Sequence, residues 1–402
     1  MTKSGTMSAG GHAHYRVLDG FRGLAILMVV VFHASHVTTN SSYFMRVASH
    51  IGGFGWAGVD VFFVLSGFLI TGILFDSVGR PRYFRNFYIR RALRIFPLFY
   101  GVLLLLVLLT PFLHLQWHWG HLAYLFYCQN IATTIDGNLA MVKPGVYLLH
   151  FWSLAVEEQY YLLWPFIIWT FRDSRRIMRF CVAGVVGIVA MRFILLAIAL
   201  RYHVNTQNWN YRGFPMHADG LLLGSWLALA IRRKSVPEVI RSTRWLFWLG
   251  VAGLAAGVAV SRSVDFGTNL MTTVGFTLIA AAAGGLLLRS LVPGTLAMHF
   301  FELPFLRFFG KYSYGLYVYH LLFHPMMPPM KRWLDAHLHA AGSVAYLAIW
   351  LGGTVGISVL SYHFFESPFL RLKDRFAPAQ PSVPEETPLP AEAGLQVEAA
   401  EV

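Results

Sequence analysis

The chain has 402 residues, of which 56% are hydrophobic and only 13% are charged. Because soluble domains carry about 25% charged residues, this composition excludes an ordinary soluble protein and indicates a polytopic membrane protein in a lipid bilayer. The formal net charge of +13 would suggest nucleic acid as the partner of a soluble protein. Here the basic residues stand in short loops between apolar segments, where they act as topology signals, so we expect no nucleic-acid partner.

Ten apolar segments are each long enough to cross a hydrocarbon core about 30 Å thick. They are predicted at residues 17–37, 55–75, 95–115, 148–170, 177–200, 214–231, 245–261, 270–289, 312–329 and 343–364. An eleventh stretch, 119–132, is short and contains polar residues, which favours a re-entrant or interfacial piece over a crossing. The predicted fold class is therefore all-α, a polytopic membrane protein with about ten transmembrane helices.

Charge sets the orientation. With the N-terminus inside, most of the 32 lysines and arginines fall in the inner loops, as the positive-inside rule requires. Both termini are then cytoplasmic, and counting 119–132 as a crossing would destroy this asymmetry. We expect residues 1–16 to form an N-terminal cytoplasmic segment and 17–376 the membrane domain. Residues 377–402, rich in Pro, Ala and Glu, are predicted to form a disordered cytoplasmic tail.

The first apolar segment is framed by Arg22 and His33, with ten apolar or small residues between them. Eleven positions are about three helical turns, so the two side chains share one face of a helix, about 16 Å apart along its axis. A cation at the membrane boundary and a proton acceptor deeper in the bilayer suit a site that begins at the surface. A boundary arginine and a packed histidine would explain this pair alone equally well.

Acidic residues also fall inside predicted spans, at Asp60, Glu157, Glu158 and Asp219. The predicted topology puts Asp60 and Asp219 near the outer ends of their segments and Glu157 about two turns into its own. Interhelical hydrogen bonding would explain one such acid. Four of them together with His33 favour a functional site, because lipid makes ionisable groups costly to hold.

Two further patterns are basic or polar. Arg91 and Arg94 are three apart and adjacent on a helix face at the cytoplasmic mouth of the third segment, where they could hold phosphate groups or simply anchor the helix. The tyrosine-rich stretch 311–320, with Tyr314 and His320, could line a cavity or pack. His114, His118 and His121 have the spacing of metal ligands, but no carboxylate completes the set, so we expect no metal.

In this order and spacing, six motifs resemble the integral-membrane acyltransferase family three, bacterial enzymes that O-acylate sugars and other hydroxylated acceptors. The motifs are LDGFRGLA at 18–25, GVDVFFVLSGFLI at 58–70, RRALRIFP at 90–97, FWSLAVEEQYYLLWP at 151–165, SYGLYVYH at 313–320 and ESP at 366–368. The resemblance implies a ten-helix fold and a cytoplasmic acyl-CoA donor, commonly acetyl-CoA. It also implies that the Arg22–His33 pair is essential and that Arg91 and Arg94 lie near the donor. Some relatives add a hydrolase-like domain. For this chain, we expect such a second catalytic module to be a separate protein or to be unnecessary.

The resulting hypothesis is an O-acyltransferase of the bacterial inner membrane that moves an acyl group from acyl-CoA to a carbohydrate, a lipid-linked glycan or another hydroxylated acceptor. We expect His33 to be the general base and Asp60 or Glu157 to orient it. Arg22 could stabilise the oxyanion or bind a donor phosphate. The acceptor-side candidates are Asp219, His217, Tyr314 and His320. Acyl-CoA is expected as a co-substrate with no bound cofactor, and direct transfer and an acyl-histidine relay both remain open.

The alternative hypothesis is a proton-coupled transporter with His33, Glu157 and Asp219 as its relay. The sequence shows no internal repeat of the kind that many transporters carry, and its second loop is rich in arginine. Both features favour the enzyme.

The orientation is testable by cysteine accessibility. In a variant without Cys128 and Cys181, a cysteine at Asp173 should react with a membrane-impermeant maleimide only from the cytoplasmic side, because the 172–176 loop carries an arginine cluster. Labelling of this loop from outside intact cells would contradict the predicted topology.

Overall fold

The computed structural model of the protein describes residues 16–35 and 52–376, and this part of the chain is almost entirely helical. The predicted terminal segments, before residue 16 and after residue 376, lie outside the described residues. Two strands, β1 (Met141–Val142) and β2 (Val146–Tyr147), pair antiparallel with Met141 opposite Tyr147. The predicted class, an all-α polytopic membrane protein, is confirmed.

The helices are α1 (Arg16–Ser35), α2 (Gly58–Ser77), α3 (Tyr83–Leu108), α4 (Thr110–Leu113), α5 (Gln129–Ile135), α6 (Trp152–Phe171), α7 (Ser174–Tyr202), α8 (Gln207–Arg212), α9 (Asp219–Ala230), α10 (Val236–Ser261), α11 (Phe276–Ser290), α12 (Leu296–Phe301), α13 (Pro304–Lys311), α14 (Ser313–Tyr319), α15 (Pro328–Leu338), α16 (Gly342–Ser361) and α17 (Ser367–Phe376). A π-helical turn precedes α11, and another joins α16 to α17.

Seven stretches of the described chain are helices long and apolar enough to cross a membrane, so the count of ten crossings is not confirmed. Helix α6 has 20 residues but is not one of the seven, because its glutamates and glutamine lower its hydropathy. Helix α9 is apolar but only 12 residues long. The expectation of one continuous ninth segment at 312–329 was wrong, since α14 ends at Tyr319 and Pro325, Pro328 and Pro329 prevent it from continuing.

The 119–132 stretch forms two short pieces, a 3-10 helix at Trp119–Phe126 and α5 at Gln129–Ile135. Both are far shorter than the roughly 20 residues that a crossing helix needs. The His118 backbone N–H donates to His121 Nδ1 at 2.9 Å, and the Gly120 N–H donates to His118 Nδ1 at 3.2 Å. These two histidines therefore cap the start of the 3-10 helix.

Helix α1 packs on α13 with the two backbones in contact. A Cβ atom at Gly23 would lie 1.9 Å from the Leu306 carbonyl oxygen, and one at Gly310 would lie 1.8 Å from that of Asp19. Small residues permit such close approach between membrane helices. The contact fixes the position of the turn of α1 that carries Arg22.

Helices α2 and α9 meet in the same way. A Cβ at Gly67 would lie 1.9 Å from the Leu221 oxygen, and one at Gly224 would lie 2.0 Å from that of Val64. Beside this contact, buried hydroxyls link three helices. Trp164 Nε1 of α6 donates to Thr71 Oγ1 of α2 at 2.7 Å, and that hydroxyl donates to Ser225 Oγ of α9 at 2.7 Å.

The α1–α13 contact predicts that Gly23→Ala separates the two helices and destabilises the protein. We expect a loss of about 1–3 kcal/mol, the usual cost of overpacking, measured as a lower melting temperature in detergent. Gly352→Ala in α16 is the matched control, because a Cβ there meets nothing within 4 Å. Equal melting temperatures for the two variants would contradict the packing.

Candidate active site

A cavity of about 330 Å³ opens among α1, α2, α3, α6, α14 and α17. One part of its wall is apolar, with Phe62, Leu69 and Ile73 of α2. The charged part is mainly basic, with Arg22, Arg90, Arg91, Arg94, Glu157 and Lys373. Such a cavity fits an anionic ligand that has a less polar portion.

Arg22 reaches the cavity from α1, held by its neighbour one turn earlier. Its Nη1 donates to Asp19 Oδ1 at 2.8 Å. Asp19 and Gly23 both lie in the close contact with α13. The packing of α1 therefore positions this ion pair at the cavity wall.

Arg91 and Arg94 lie one turn apart on α3 but have different surroundings. The Arg91 guanidinium stacks over the Tyr161 ring at 3.7 Å. Its nitrogens lie 3.6 Å from a Glu158 oxygen and 4.0 Å from a Glu157 oxygen, so α6 surrounds it with negative charge. Arg94 is exposed into the cavity, and no described carboxylate comes within 4.0 Å of it.

Three imidazoles lie behind one wall of the cavity and form what we call the histidine cluster, His33, His150 and His320. His320 Nε2 is 3.2 Å from His33 Nδ1, and the rings of His150 and His320 are 5.1 Å apart. Tyr317 connects the cluster to the cavity. It lines the cavity, its hydroxyl is 2.6 Å from Ser153 Oγ, and it lies one turn before His320.

Backbone carbonyls set the tautomers of the cluster. His33 Nδ1 is 2.8 Å from the Val29 oxygen, and His320 Nδ1 is 2.8 Å from the Tyr317 oxygen. A carbonyl oxygen can only accept, so each neutral imidazole carries its proton on Nδ1. The His320 Nε2 lone pair then faces the His33 Nδ1 proton. Both neighbours make Nε2 the basic nitrogen of His33.

A second polar centre, the buried ionic network of Asp60, His217, Arg192 and Asp219, lies outside the cavity lining. Arg192 forks onto both oxygens of Asp219 at 2.9 and 3.0 Å, and its Nε donates to the Met216 oxygen at 2.8 Å. His217 Nε2 lies 2.8 Å from Asp60 Oδ1. All four side chains are buried, so they join α2, α7 and α9 without reaching solvent.

The structure brings several predicted residues together and separates others. Arg22, Arg91, Arg94 and Glu157 share the cavity, and α1 is uninterrupted from Arg22 to His33, as their spacing predicts. The expectation that Asp60 or Glu157 orients His33 was wrong.

Asp60 pairs with His217 instead, because its face of α2 turns toward α9. Glu157 pairs with Arg91, because it lies seven residues beyond His150 and therefore about 10 Å further along the chain toward the arginines. A backbone carbonyl and the His320 imidazole orient His33.

Tyr314 was predicted on the acceptor side, but it lines the arginine cavity and its hydroxyl donates to the Ile95 oxygen at 2.7 Å. His217 and Asp219, also acceptor-side candidates, are enclosed in the buried ionic network. The proton relay of the alternative hypothesis is not assembled either, since His33, Glu157 and Asp219 each have a different partner.

Sequence reasoning missed His150 and Lys373. His150 could have been found, because it lies three residues before Ser153 and seven before Glu157, on the same side of a helical turn. Lys373 lies between two other basic residues near the end of the membrane domain, and nothing local in the sequence places it at the cavity.

The chain is similar to bacterial proteins named as O-acetyltransferases. A family model described as an acyltransferase domain matches residues 15–363. The O-acetyltransferase OatA of Staphylococcus aureus (strain NCTC 8325 / PS 47) is 28% identical over 367 residues, which are 87% of this chain and 56% of that protein. The peptidoglycan O-acetyltransferase OatA of Listeria monocytogenes serovar 1/2a is 27% identical over 365 residues, or 87% and 55% of the two chains.

A putative O-acetyltransferase of Staphylococcus aureus (strain COL) is 28% identical over 372 residues, 88% of this chain and 56% of that protein. The chain thus spans a little over half the length of these relatives. No solved structure matches it.

The buried ionic network makes a stability prediction. Asp219→Leu should destabilise the protein by about 3–5 kcal/mol, because it leaves the Arg192 charge buried and unpaired. The double variant Arg192→Met/Asp219→Leu should recover part of this loss. Melting temperatures in detergent measure both, and a single variant as stable as the unmodified protein would show that the pair does not hold these helices.

Proposed function

This chain belongs to acyltransferase family three, and from that premise we propose that it moves an acetyl group from cytoplasmic acetyl-CoA to a hydroxyl of a carbohydrate acceptor. The proposed location is the inner membrane of a bacterium, as a multi-pass protein. The names of the relatives support an acetyl group, and the Listeria relative supports a glycan of the cell wall as the acceptor class.

The observation that carries the proposal is that the arginine-rich cavity and the histidine cluster adjoin, with Tyr317 and Ser153 between them. The phosphates of CoA match the basic side chains, since guanidinium groups bind phosphate in bidentate fashion. The apolar α2 wall suits the thin pantetheine arm. Arg22 and His33 are about 16 Å apart along α1, a separation that an extended arm can span. Tyr317 and Ser153 lie where the cavity meets the cluster.

The chemistry would centre on His33 Nε2. This nitrogen takes the proton of the acceptor hydroxyl while the oxygen attacks the thioester carbonyl. The C–O ester bond forms, the C–S bond breaks, and the CoA thiolate leaves and receives the proton from the imidazolium. His320 Nε2 accepts the Nδ1–H hydrogen bond of His33 and so stabilises the imidazolium, a role that a carboxylate fills in serine hydrolases. An acyl-histidine relay would use the same Nε2 atom.

The separation of Arg22 and His33 along α1 supports a donor-side role for Arg22. Its position on α1 is about 16 Å from that of His33 along the helix axis, which argues against a role for Arg22 at the oxyanion. We place it beside the head of the donor, where its bond to Asp19 orients it.

The two substrates would enter from opposite sides. With the termini cytoplasmic, the arginines lie at the inner boundary and His33 lies further out. Acetyl would cross the membrane as a thioester and leave as an ester, and CoA itself would stay inside.

Sided proteoliposomes test this proposal. With acetyl-CoA sealed inside and a short cell-wall glycan outside, we expect acetylation of the outer glycan, detected by mass spectrometry. His33→Ala should lower the rate about a hundredfold or more, the usual contribution of a positioned base. His337→Ala, at an exposed histidine of α15, is the matched control and should retain the rate.

Two outcomes would contradict it. Near-normal turnover by a well-folded His33→Ala protein would show that His33 is not the general base. If the reaction occurred only when donor and acceptor were both on the cytoplasmic side, the acetyl group would not cross the membrane during transfer.

A further inference from the structure

Two basic side chains from helices far apart in sequence line the cavity without a carboxylate partner among the described residues. They are Arg94 of α3 and Lys373 of α17. The charges of Arg22 and Arg91, by contrast, are compensated by Asp19 and by the α6 glutamates. Within the described chain, Arg94 and Lys373 are therefore two basic groups of the cavity lining whose positive charge is available to a ligand.

The surroundings of Arg94 add to this charge. Arg22 and Arg91 are both close enough to repel it. The carboxylates that act on it, Asp19, Glu157 and Glu366, lie beyond ion-pair distance. Repulsion between like charges in a partly enclosed site is relieved by an anion, and such a site concentrates anions from solution.

Helix α17 forms a wall of the cavity. It packs against α3 and places Leu370 and Lys373, one turn apart, in the cavity lining, while Arg371 is exposed and outside the lining. One of its three basic residues thus faces the site. A topology anchor alone would not require this orientation.

We propose that Arg94 and Lys373 hold the phosphate groups of the nucleotide donor, and that Arg91 is a positioning residue which fixes Glu157 and Glu158 instead of binding the donor. This inference rests on the proposed function, because it takes the donor to be a CoA thioester. The guanidinium fork of Arg94 suits two oxygens of one phosphate, and the Lys373 ammonium acts as a point charge beside it. The two helices pack against each other and both line the cavity.

Binding of CoA to the purified full-length protein in detergent, followed by calorimetry, tests the assignment. Arg94→Ala and Lys373→Ala should each weaken CoA binding about tenfold or more, the usual effect of losing a hydrogen bond to a charged group. Arg371→Ala removes the same charge from the same helix and should change the affinity less than about twofold.

Ligand fragments separate binding from folding. Pantetheine has no phosphate, so its binding should be the same in Lys373→Ala and the unmodified protein. Equal weakening of pantetheine and CoA by Lys373→Ala would mean a damaged cavity and would overturn the proposal. Dephospho-CoA lacks only the 3′-phosphate. An undiminished effect of Lys373→Ala with this ligand assigns the lysine to the pyrophosphate, and a lost effect assigns it to the 3′-phosphate.

Arg91→Ala should lower kcat while CoA affinity stays within about threefold, because its partners are protein groups. If it weakens CoA as much as Arg94→Ala does, the division between the two arginines is wrong. CoA binding and turnover that survive both Arg94→Ala and Lys373→Ala would overturn this inference alone. Failure of the unmodified protein to bind CoA would overturn the proposed function with it.

Discussion

The backbone contact between α1 and α13 is the constraint on which the other parts of the site depend. Gly23 and Gly310 let the two helices touch, which holds α1 as a rigid rod with Arg22 near one end and His33 near the other. Helix α13 continues almost directly into α14, which carries Tyr314 and Tyr317 and is followed at once by His320. One helix contact therefore sets the depth of the arginine and brings His320 to His33.

Charge in the described bundle falls into two kinds of environment. The buried ionic network of Asp60, His217, Arg192 and Asp219 is enclosed, and each member has a hydrogen-bonded partner. A buried ion pair adds little net stability, but loss of one partner is costly, so such a network holds helices in register. The cavity instead exposes basic groups whose charges its own acids balance only in part. The first arrangement suits structure and the second suits an anionic ligand.

The sequence predicts the parts of this site that depend on contacts within one helix better than the parts that depend on contacts between helices. The shared face of Arg22 and His33 and the adjacency of Arg91 and Arg94 depend only on helix geometry within one segment, so spacing predicts both. The partners of Asp60 and Glu157 depend on which helices are neighbours, and depth alone suggested the wrong contact with His33.

The interruption of the ninth segment after α14 could have been predicted from the local sequence, because three prolines lie at residues 325 to 329 and proline disrupts a helix. Only the overall hydropathy of the segment suggested a crossing there. The position of Lys373 at the cavity could not have been predicted from the local sequence, since nothing near it in the chain shows that α17 folds back onto α3.

The support of His33 by a second imidazole has a physical consequence. A carboxylate in its place would favour the imidazolium strongly, but it would be a charge with a high desolvation cost in the membrane interior. His320 is neutral when Nδ1 carries its one proton, and its Nε2 lone pair still orients His33. The site can therefore hold an oriented imidazole without a buried ion pair beside it. In the proposed mechanism, charge separation is confined to the moment of proton transfer. The acids predicted inside the spans, Asp60, Glu157, Glu158 and Asp219, lie with arginines or with His217 instead.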